Sequence, residues 1–372
     1  MHPRDRPCYS RRERRVKMSP APDADVRVRA FDLGDAPASA AHDAWVRARV
    51  DGTPFHLTAW GRAVARGAGH RPHYLVAERD DAIVGVLPLA EARSPIFGRS
   101  LASNTLAVYG GPLANDAATH AALDAAAWTH ARAIGVRVLE YRDQARLRPD
   151  WPAKSDVYAT FKRALGKTED ENLKAIPRKQ RAEVRKSLEF GLETRIGRTK
   201  ADLAAHFHVY GTSVRNLGTP VFPPGLFAAI LDAFGEDADI LTVYKDREPL
   251  ASVLSLYHKG EVLPYYGGGM PEARPWRAND HMYWQLMEHA RKRGCTSFDF
   301  GRSKYGTGPF AFKKNWGFEP TPLHYEFRLA ESEQVPDLSP NNPKYKAMIA
   351  VWTRMPLWLA NRVGPLVSRG LS

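Results

Sequence analysis

Residues 305–320, YGTGPFAFKKNWGFEP, set an adjacent cation pair, Lys313 and Lys314, in an aromatic, turn-rich segment. The apolar run ending in Asp299 lies just upstream. A cation held there has a definite use. When an amine attacks a carbonyl carbon, the oxygen gains negative charge, and a fixed positive group in a dry cleft removes several kcal/mol of barrier. Lys313, flanked by Phe312 and Trp316 on an expected hairpin, suits that role, and Lys314 is assigned to solvent. The same residues also fit a solvated hairpin edge. Asp299, at the end of a strand, is placed to accept a proton from the attacking amine or to pair with Arg302 at the surface. The two glycines of Tyr305-Gly-Thr-Gly free the backbone to approach a ligand. Arg302, Lys304 and Tyr305 would then bind an anionic or sugar portion of a substrate, although a plain turn accounts for them as well.

A second group lies on a helix that Pro177 opens and Gly191 closes. Arg178, Arg181 and Arg185 are spaced three and four apart and share one face. A guanidinium fork binds phosphate bidentately, and a solvated basic face is the alternative. The net charge is +13 and is concentrated locally. Residues 1–18 carry +5, 178–186 carry +4 and 341–372 carry +5, so the rest of the chain is about neutral. Three local runs do not make the uniformly basic surface of a duplex binder, and DNA is not an expected partner. No metal-ligand spacing appears, and no apolar run is long enough to span a bilayer. With only Cys8 and Cys295 there is no disulfide framework, which fits a reducing, cytoplasmic setting. Cys295 is expected as a small core residue. The N-terminal stretch reads as a disordered basic tail over 1–25, with Met18 an alternative start.

The elements that must position these residues recur in the chain. FHLTAWGRAVARGAGHRPHYLVAERDDAIVGVLPL (55–89) aligns with FPPGLFAAILDAFGEDADILTVYKDREPLASVLSL (222–256). VYGG (108–111) answers YYGG (265–268), and HARAIGVRVLEY (130–141) answers HARKRGCTSFDF (289–300). Each copy predicts a helix (58–67; 225–234), then a hairpin turning at Asp80-Asp81 or Asp246-Arg247. A strand ending in Tyr-Gly-Gly follows, then a long helix (116–134; 279–293) closed by Gly135 or Gly294. A short strand ends the copy. The divisions expected are 26–165, a basic linker helix over 166–198, 199–332, and an amphipathic tail over 333–372.

This order, with IPRKQRAEVRKSLEFGLETRIG (176–197) and DFGRSKYGTGPFAFKKNWGFEP (299–320), resembles the FemAB family of tandem GNAT-fold transferases over roughly 45–330. The resemblance implies an α/β (α+β) fold of two tandem GNAT-like domains. Each is a mixed, mostly antiparallel sheet flanked by helices, and a basic helix joins them. It implies aminoacyl transfer from charged tRNA to a cell-wall precursor amine, with no tightly bound cofactor. Phe312-Lys313 matches the family's Phe-Lys pair, whose lysine is implicated in stabilising the intermediate. Arg178, Arg181 and Arg185 match basic residues that contact the diphosphate of a lipid- or nucleotide-linked sugar. The C-terminal stretch NNPKYKAMIAVWTRMPLWLANRVGPLVSRG is similar to the subgroup associated with exosortase and exopolysaccharide systems. GNAT proteins that use acetyl-CoA carry a glycine loop for its pyrophosphate before the long helix. Here RPWRAND (274–280) and GPLANDA (111–117) lack that pattern.

Residues 343–370 are basic, acid-free and rich in Trp and Leu. They suit either an interfacial helix at the inner face of a membrane or a tail packed on the body. Three functions remain open from sequence. One is a FemAB-like transferase acting on a peptidoglycan or exopolysaccharide precursor. Another is an acyl-CoA-dependent N- or O-acyltransferase of polysaccharide. The third is a membrane-surface or RNA-binding adaptor on an inactive scaffold.

Overall fold

The computed structural model describes residues 25–94, 98–331, 333–335 and 343–370. The expected N-terminal tail, apart from residue 25, lies outside them, as do Cys8 and Met18. The first half runs β1 (Arg27–Phe31), α1 (Ala36–Ala48), α2 (Thr58–Ala68), β2 (Arg71–Arg79), β3 (Ala82–Ser94), β4 (Gly98–Ser103), β5 (Leu113–Ala114), α3 (Ala117–Ala133), β6 (Val138–Asp143) and β7 (Ala153–Lys154). The chain then crosses through β8 (Tyr158–Ala164), α4 (Glu169–Ala175) and α5 (Arg178–Leu188). The second half repeats the order: β9 (Glu193–Gly197), α6 (Lys200–Asn216), α7 (Pro224–Phe234), β10 (Ala238–Lys245), β11 (Glu248–His258), β12 (Glu261–Gly269), α8 (Ala278–Lys292) and β13 (Ser297–Asp299). It ends with β14 (Ser303–Lys304), α9 (Gly308–Asn315), β15 (Pro320–Pro322), β16 (His324–Leu329), α10 (Pro343–Arg354) and α11 (Leu357–Ser368).

Local chemistry accounts for the repeated parts. Asp80 and Asp81 both have positive φ (51° and 61°), as do Asp246 and Arg247 (51° and 71°). Two successive left-handed residues make the tight turn whose twist matches the flanking strands. Helices α3 and α8 stop at Gly135 (φ 72°) and Gly294 (φ 82°). There Val136 N–H bonds Ala131 O at 2.8 Å and Cys295 N–H bonds Ala290 O at 2.9 Å, closing each C-terminus as a Schellman motif.

Two eight-stranded mixed sheets result, ordered β1-β2-β3-β4-β6-β16-β7, with β5 also on β3, and β14-β8-β13-β12-β11-β10-β9, with β15 also on β8. The halves exchange strands. β8 follows the first copy in sequence yet pairs with β13, β14 and β15 in the second sheet. β16 follows the second copy yet pairs with β6 and β7 in the first. Divisions at 165 and 332 therefore leave each sheet without a strand it contains. The segment read as a linker also contributes β9, which pairs antiparallel with β10 at the edge of the second sheet.

The copies share a core as well as strands. α2 lies against α7, and a Cβ on Gly67 would fall 2.4 Å from Leu226 Cα, so only glycine permits that approach. Trp60 meets Phe234 and Tyr265 edge-on at 6.4 and 5.5 Å. In α11 the small residues Ala360, Gly364 and Ser368 are buried, and Ser368 Oγ donates to Val221 O at 3.0 Å. This much of the C-terminal segment is packed on the body.

Two expectations are corrected. Residues 305–320 do not form a hairpin, because residues 308–315 are the helix α9. Thr307 is its N-cap, Pro309 lies in its first turn, and Gly317 ends it at φ 79°. Pro near the start and Gly just past the end are helix punctuation. VYGG (108–111) is not strand either, since β4 ends at Ser103 and the chain is irregular until β5.

Candidate active site

The site grows from a divergence in the second sheet. β12 and β13 are parallel partners only at Glu261–Ser297 and Val262–Phe298. Past that point the chain turns away, and Phe300 N–H bonds Phe161 O of β8 at 2.8 Å. Asp299 sits where the strands part, and only 1% of it is exposed. Its carboxylate accepts from Tyr109 Oη at 2.8 Å, from Gly301 N–H at 2.7 Å and from Thr160 Oγ1 at 3.3 Å. The Tyr109 and Thr160 hydroxyls also bond each other. Burial is the main cause pushing the carboxyl up to about 6, and nearby Glu261 adds to it. The Tyr109 hydroxyl and the Gly301 N–H oppose the rise. Asp299 thus titrates close to neutrality, where a general base works best.

Lys313 points inward from α9 and is 9% exposed. Its Nζ donates to the carbonyls of Phe300, Gly301 and Arg302 at 2.7, 2.9 and 3.0 Å. An ammonium has three N–H bonds, so all are used. Gly301, at φ 64°, bends the backbone so that three successive carbonyls converge on one cation. Burial lowers the Lys313 ammonium to about 7, while Asp299 acts to raise it. Only the charged form has a donor for each of the three carbonyls, which also favours it. In its protonated form Lys313 is a positioned internal charge that locks the loop after β13. Giving a hydrogen bond to a reacting oxygen would require releasing one of the three carbonyls.

The other expected residues divide. Arg302 does not pair with Asp299. Its Nη1 donates to Tyr325 Oη at 2.7 Å, and its guanidinium lies 4.8 Å from the Tyr158 ring centre. Tyr325 Oη in turn donates to Val108 O at 3.1 Å. Residues 108–109 of the first copy and 299–302 of the second are thus stitched together at two points. This closes the surface cleft expected at Asp299: Tyr109 covers the carboxylate. Phe312 is half-buried, 5.6 Å from Tyr283, and packs α9 down. Tyr305 is exposed and lies against Phe310 at 4.9 Å, at the opposite end of α9 from Lys313.

On α5, Arg178 and Arg185 are exposed. Arg181 is committed to the end of α4, donating to Lys174 O at 2.7 Å and Ile176 O at 2.9 Å. α5 starts close to the end of α9, because a Cβ on Gly317 would meet Pro177 Cδ at 2.9 Å. Lys314 is exposed, as expected. Among the described residues no His, Cys, Asp and Glu side chains gather as a metal site.

The residue that sequence reasoning missed is Tyr109. It borders a cavity of about 120 Å³, also lined by His56, Gly111, Arg142 and Asp143. His56 Nε2 is bonded to Gly111 O at 2.9 Å, and burial lowers this imidazole to about 4, so it is neutral. The signal for Tyr109 was the VYGG–YYGG match, which pairs Tyr109 with Tyr266. The repeat did not reveal that Tyr109 serves the other copy.

The family of acetyltransferase (GNAT) domains matches residues 176–314. FemX has a similar structure, with a TM-score of 0.62 at 17% identity over 87% of this chain and 100% of FemX. The chain has the tandem GNAT fold. A tandem GNAT protein from the clavulanic acid biosynthesis pathway aligns with TM-score 0.52 at 13% identity, over 83% of this chain and all of that one. The C-terminal domain of a putative lysylphosphatidylglycerol synthetase from Agrobacterium fabrum aligns with TM-score 0.53 at 14% identity, over 79% of this chain and 93% of that one. In sequence, the lipid II:glycine glycyltransferase of Staphylococcus aureus is 32% identical over 75 residues. That alignment covers 18% of this chain and 18% of the length of the curated relative.

Proposed function

We propose that this chain is a FemAB-like aminoacyltransferase acting on a cell-envelope precursor. The observation that carries the reading is the Tyr109–Asp299 contact. It joins a carboxyl titrating near neutrality to the hydroxyl of a tyrosine that lines a cavity, with a buried cation nearby. An acceptor amine in that cavity attacks an ester carbonyl, so a C–N bond forms and the ester C–O bond breaks. The amine proton passes to Tyr109 Oη, whose own proton moves to Asp299. The proton then returns from Asp299 to Tyr109 Oη, which passes the one it took from the amine to the leaving hydroxyl oxygen. Lys313 stabilises the negative charge through its fixed position, and Arg178 with Arg185 holds an acceptor diphosphate. The glycyltransferase named for lipid II favours a lipid-linked peptidoglycan precursor as acceptor. The C-terminal resemblance noted above would place an exopolysaccharide precursor in the same role.

An acyl-CoA donor is the second reading, favoured by the fold shared with the clavulanic acid tandem GNAT protein. Against it, the start of α8 is occupied by Arg277, at φ 52°, with its guanidinium on Glu183 at 2.8 Å.

The test is to incubate the full chain and lipid-linked peptidoglycan precursor with charged tRNA or with acyl-CoA, and to weigh the products. One added aminoacyl mass from charged tRNA supports the proposal. Transfer from acyl-CoA alone replaces it with the second reading. No transfer, together with full in vivo function of Asp299→Asn, leaves only a scaffold.

A further inference from the structure

The C-terminal helices present an inverted surface. In α11 the small residues Ala360, Gly364 and Ser368, four apart, face the body. Gly364 is pressed so close that a Cβ would meet Val221 N at 3.0 Å. Trp358 and Leu366, spaced eight apart with Arg362 between them, are on the opposite face. Trp358 is 70% exposed and Leu366 69%, while Arg362 and Arg369 on the same face are also exposed. A globular helix ordinarily turns its bulky apolar residues inward, and here they project outward. The preceding helix α10 repeats the mixture with Val351 (63% exposed) and the exposed Arg354.

α10 packs on the second copy through the face opposite Val351. A Cβ on Gly218 would meet Ile349 Cγ2 at 2.5 Å, so α10 lies beside the end of α6. There Leu217 is also exposed. Leu217 borders a cavity of about 230 Å³ whose other walls include Gly269 at the end of β12 and Arg274.

We propose that α10 and α11 seat the protein on an anionic lipid bilayer, lying in the plane of its headgroups. Charge selects this occupant: residues 341–372 carry five Arg or Lys and no acid. The Trp–Arg–Leu alternation on one face also places apolar bulk and cations at the same depth, which an interface accepts. No helix among the described residues is long and apolar enough to cross a membrane, so the contact is peripheral. The inference does not depend on the transfer reaction, and its test uses neither donor nor acceptor.

The full chain should co-sediment with mixed phosphatidylcholine–phosphatidylglycerol vesicles and not with pure phosphatidylcholine vesicles. Binding should weaken as salt is raised. Trp358→Ser with Leu366→Ser should reduce binding roughly ten-fold or more. Each of Arg354→Gln and Arg362→Gln should reduce it about five-fold. Because these side chains are exposed, circular dichroism and the melting temperature should not change. Three results would overturn the proposal. The first is a lack of vesicle binding, or binding that ignores the four substitutions. The second is binding of uncharged tRNA, instead of vesicles, that the arginine substitutions abolish. The third is a dimer in solution that Trp358→Ser dissociates while vesicle binding is absent.

Discussion

Lys313 and Asp299 are set against each other by burial, one lowered to about 7 and the other raised to about 6. The folded Asp299 carboxyl titrates above its unfolded counterpart, which is near 4. Between about pH 4 and pH 6 the folded state therefore holds a proton that the unfolded state has lost. Stability falls as pH rises through that window, by on the order of 3 kcal/mol for this one group. Asp299→Asn should flatten the slope, as read by denaturant unfolding at several pH values. Lys313→Met makes the opposite kind of change. It leaves three carbonyls without their donor, and each such buried group costs about 1–3 kcal/mol. We expect a loss of about 3 kcal/mol or more in unfolding free energy. Below the lowered melting temperature, turnover should still be lost if the cation serves the reaction, whereas a purely structural lysine would leave turnover intact.

At the scale of elements, glycine decides how closely the copies meet. Gly67→Val would drive its side chain into the backbone of Leu226 across the α2–α7 contact. Overpacking costs about 1–3 kcal/mol where neighbours can yield, and backbone yields least, so equilibrium unfolding should report about 3 kcal/mol or more. The elements most legible in the sequence were those fixed by local rules. The Asp80-Asp81 turn and Gly135 after α3 name their own conformations, and the repeat doubled each signal. Residues 308–315 were harder. Their aromatic and glycine content suggested a hairpin, and Thr307, Pro309 and Gly317 went unread as helix boundaries. β16 looks like any half-buried strand, and only tertiary pairing sends it to the other sheet. The same holds within the site. Asp299 and Lys313 stand out by type, whereas Tyr109 acquires a role only because a loop of one copy is held against a strand of the other.

For the whole molecule, the exchanged strands make the copies interdependent. The chain cut between residues 198 and 199 separates β8 and β9 from β10 to β15, and β1 to β7 from β16. Neither piece should fold alone, and the intact chain should melt in a single transition. Separate, stable folding of either piece by circular dichroism would contradict this. The same interdependence underlies the account's central claim, that one working site is assembled from both copies through the Tyr109 hydroxyl and the Asp299 carboxylate. The pH dependence of kcat/KM for aminoacyl transfer, compared between the natural protein and Tyr109→Phe, tests it most directly. An acid limb near pH 6 and an alkaline limb at or above pH 7 are expected in the natural protein. In Tyr109→Phe a fall of about a hundred-fold is expected, without loss of the folded state. A Tyr109→Phe protein that is folded and retains the natural rate and pH profile would contradict the central claim.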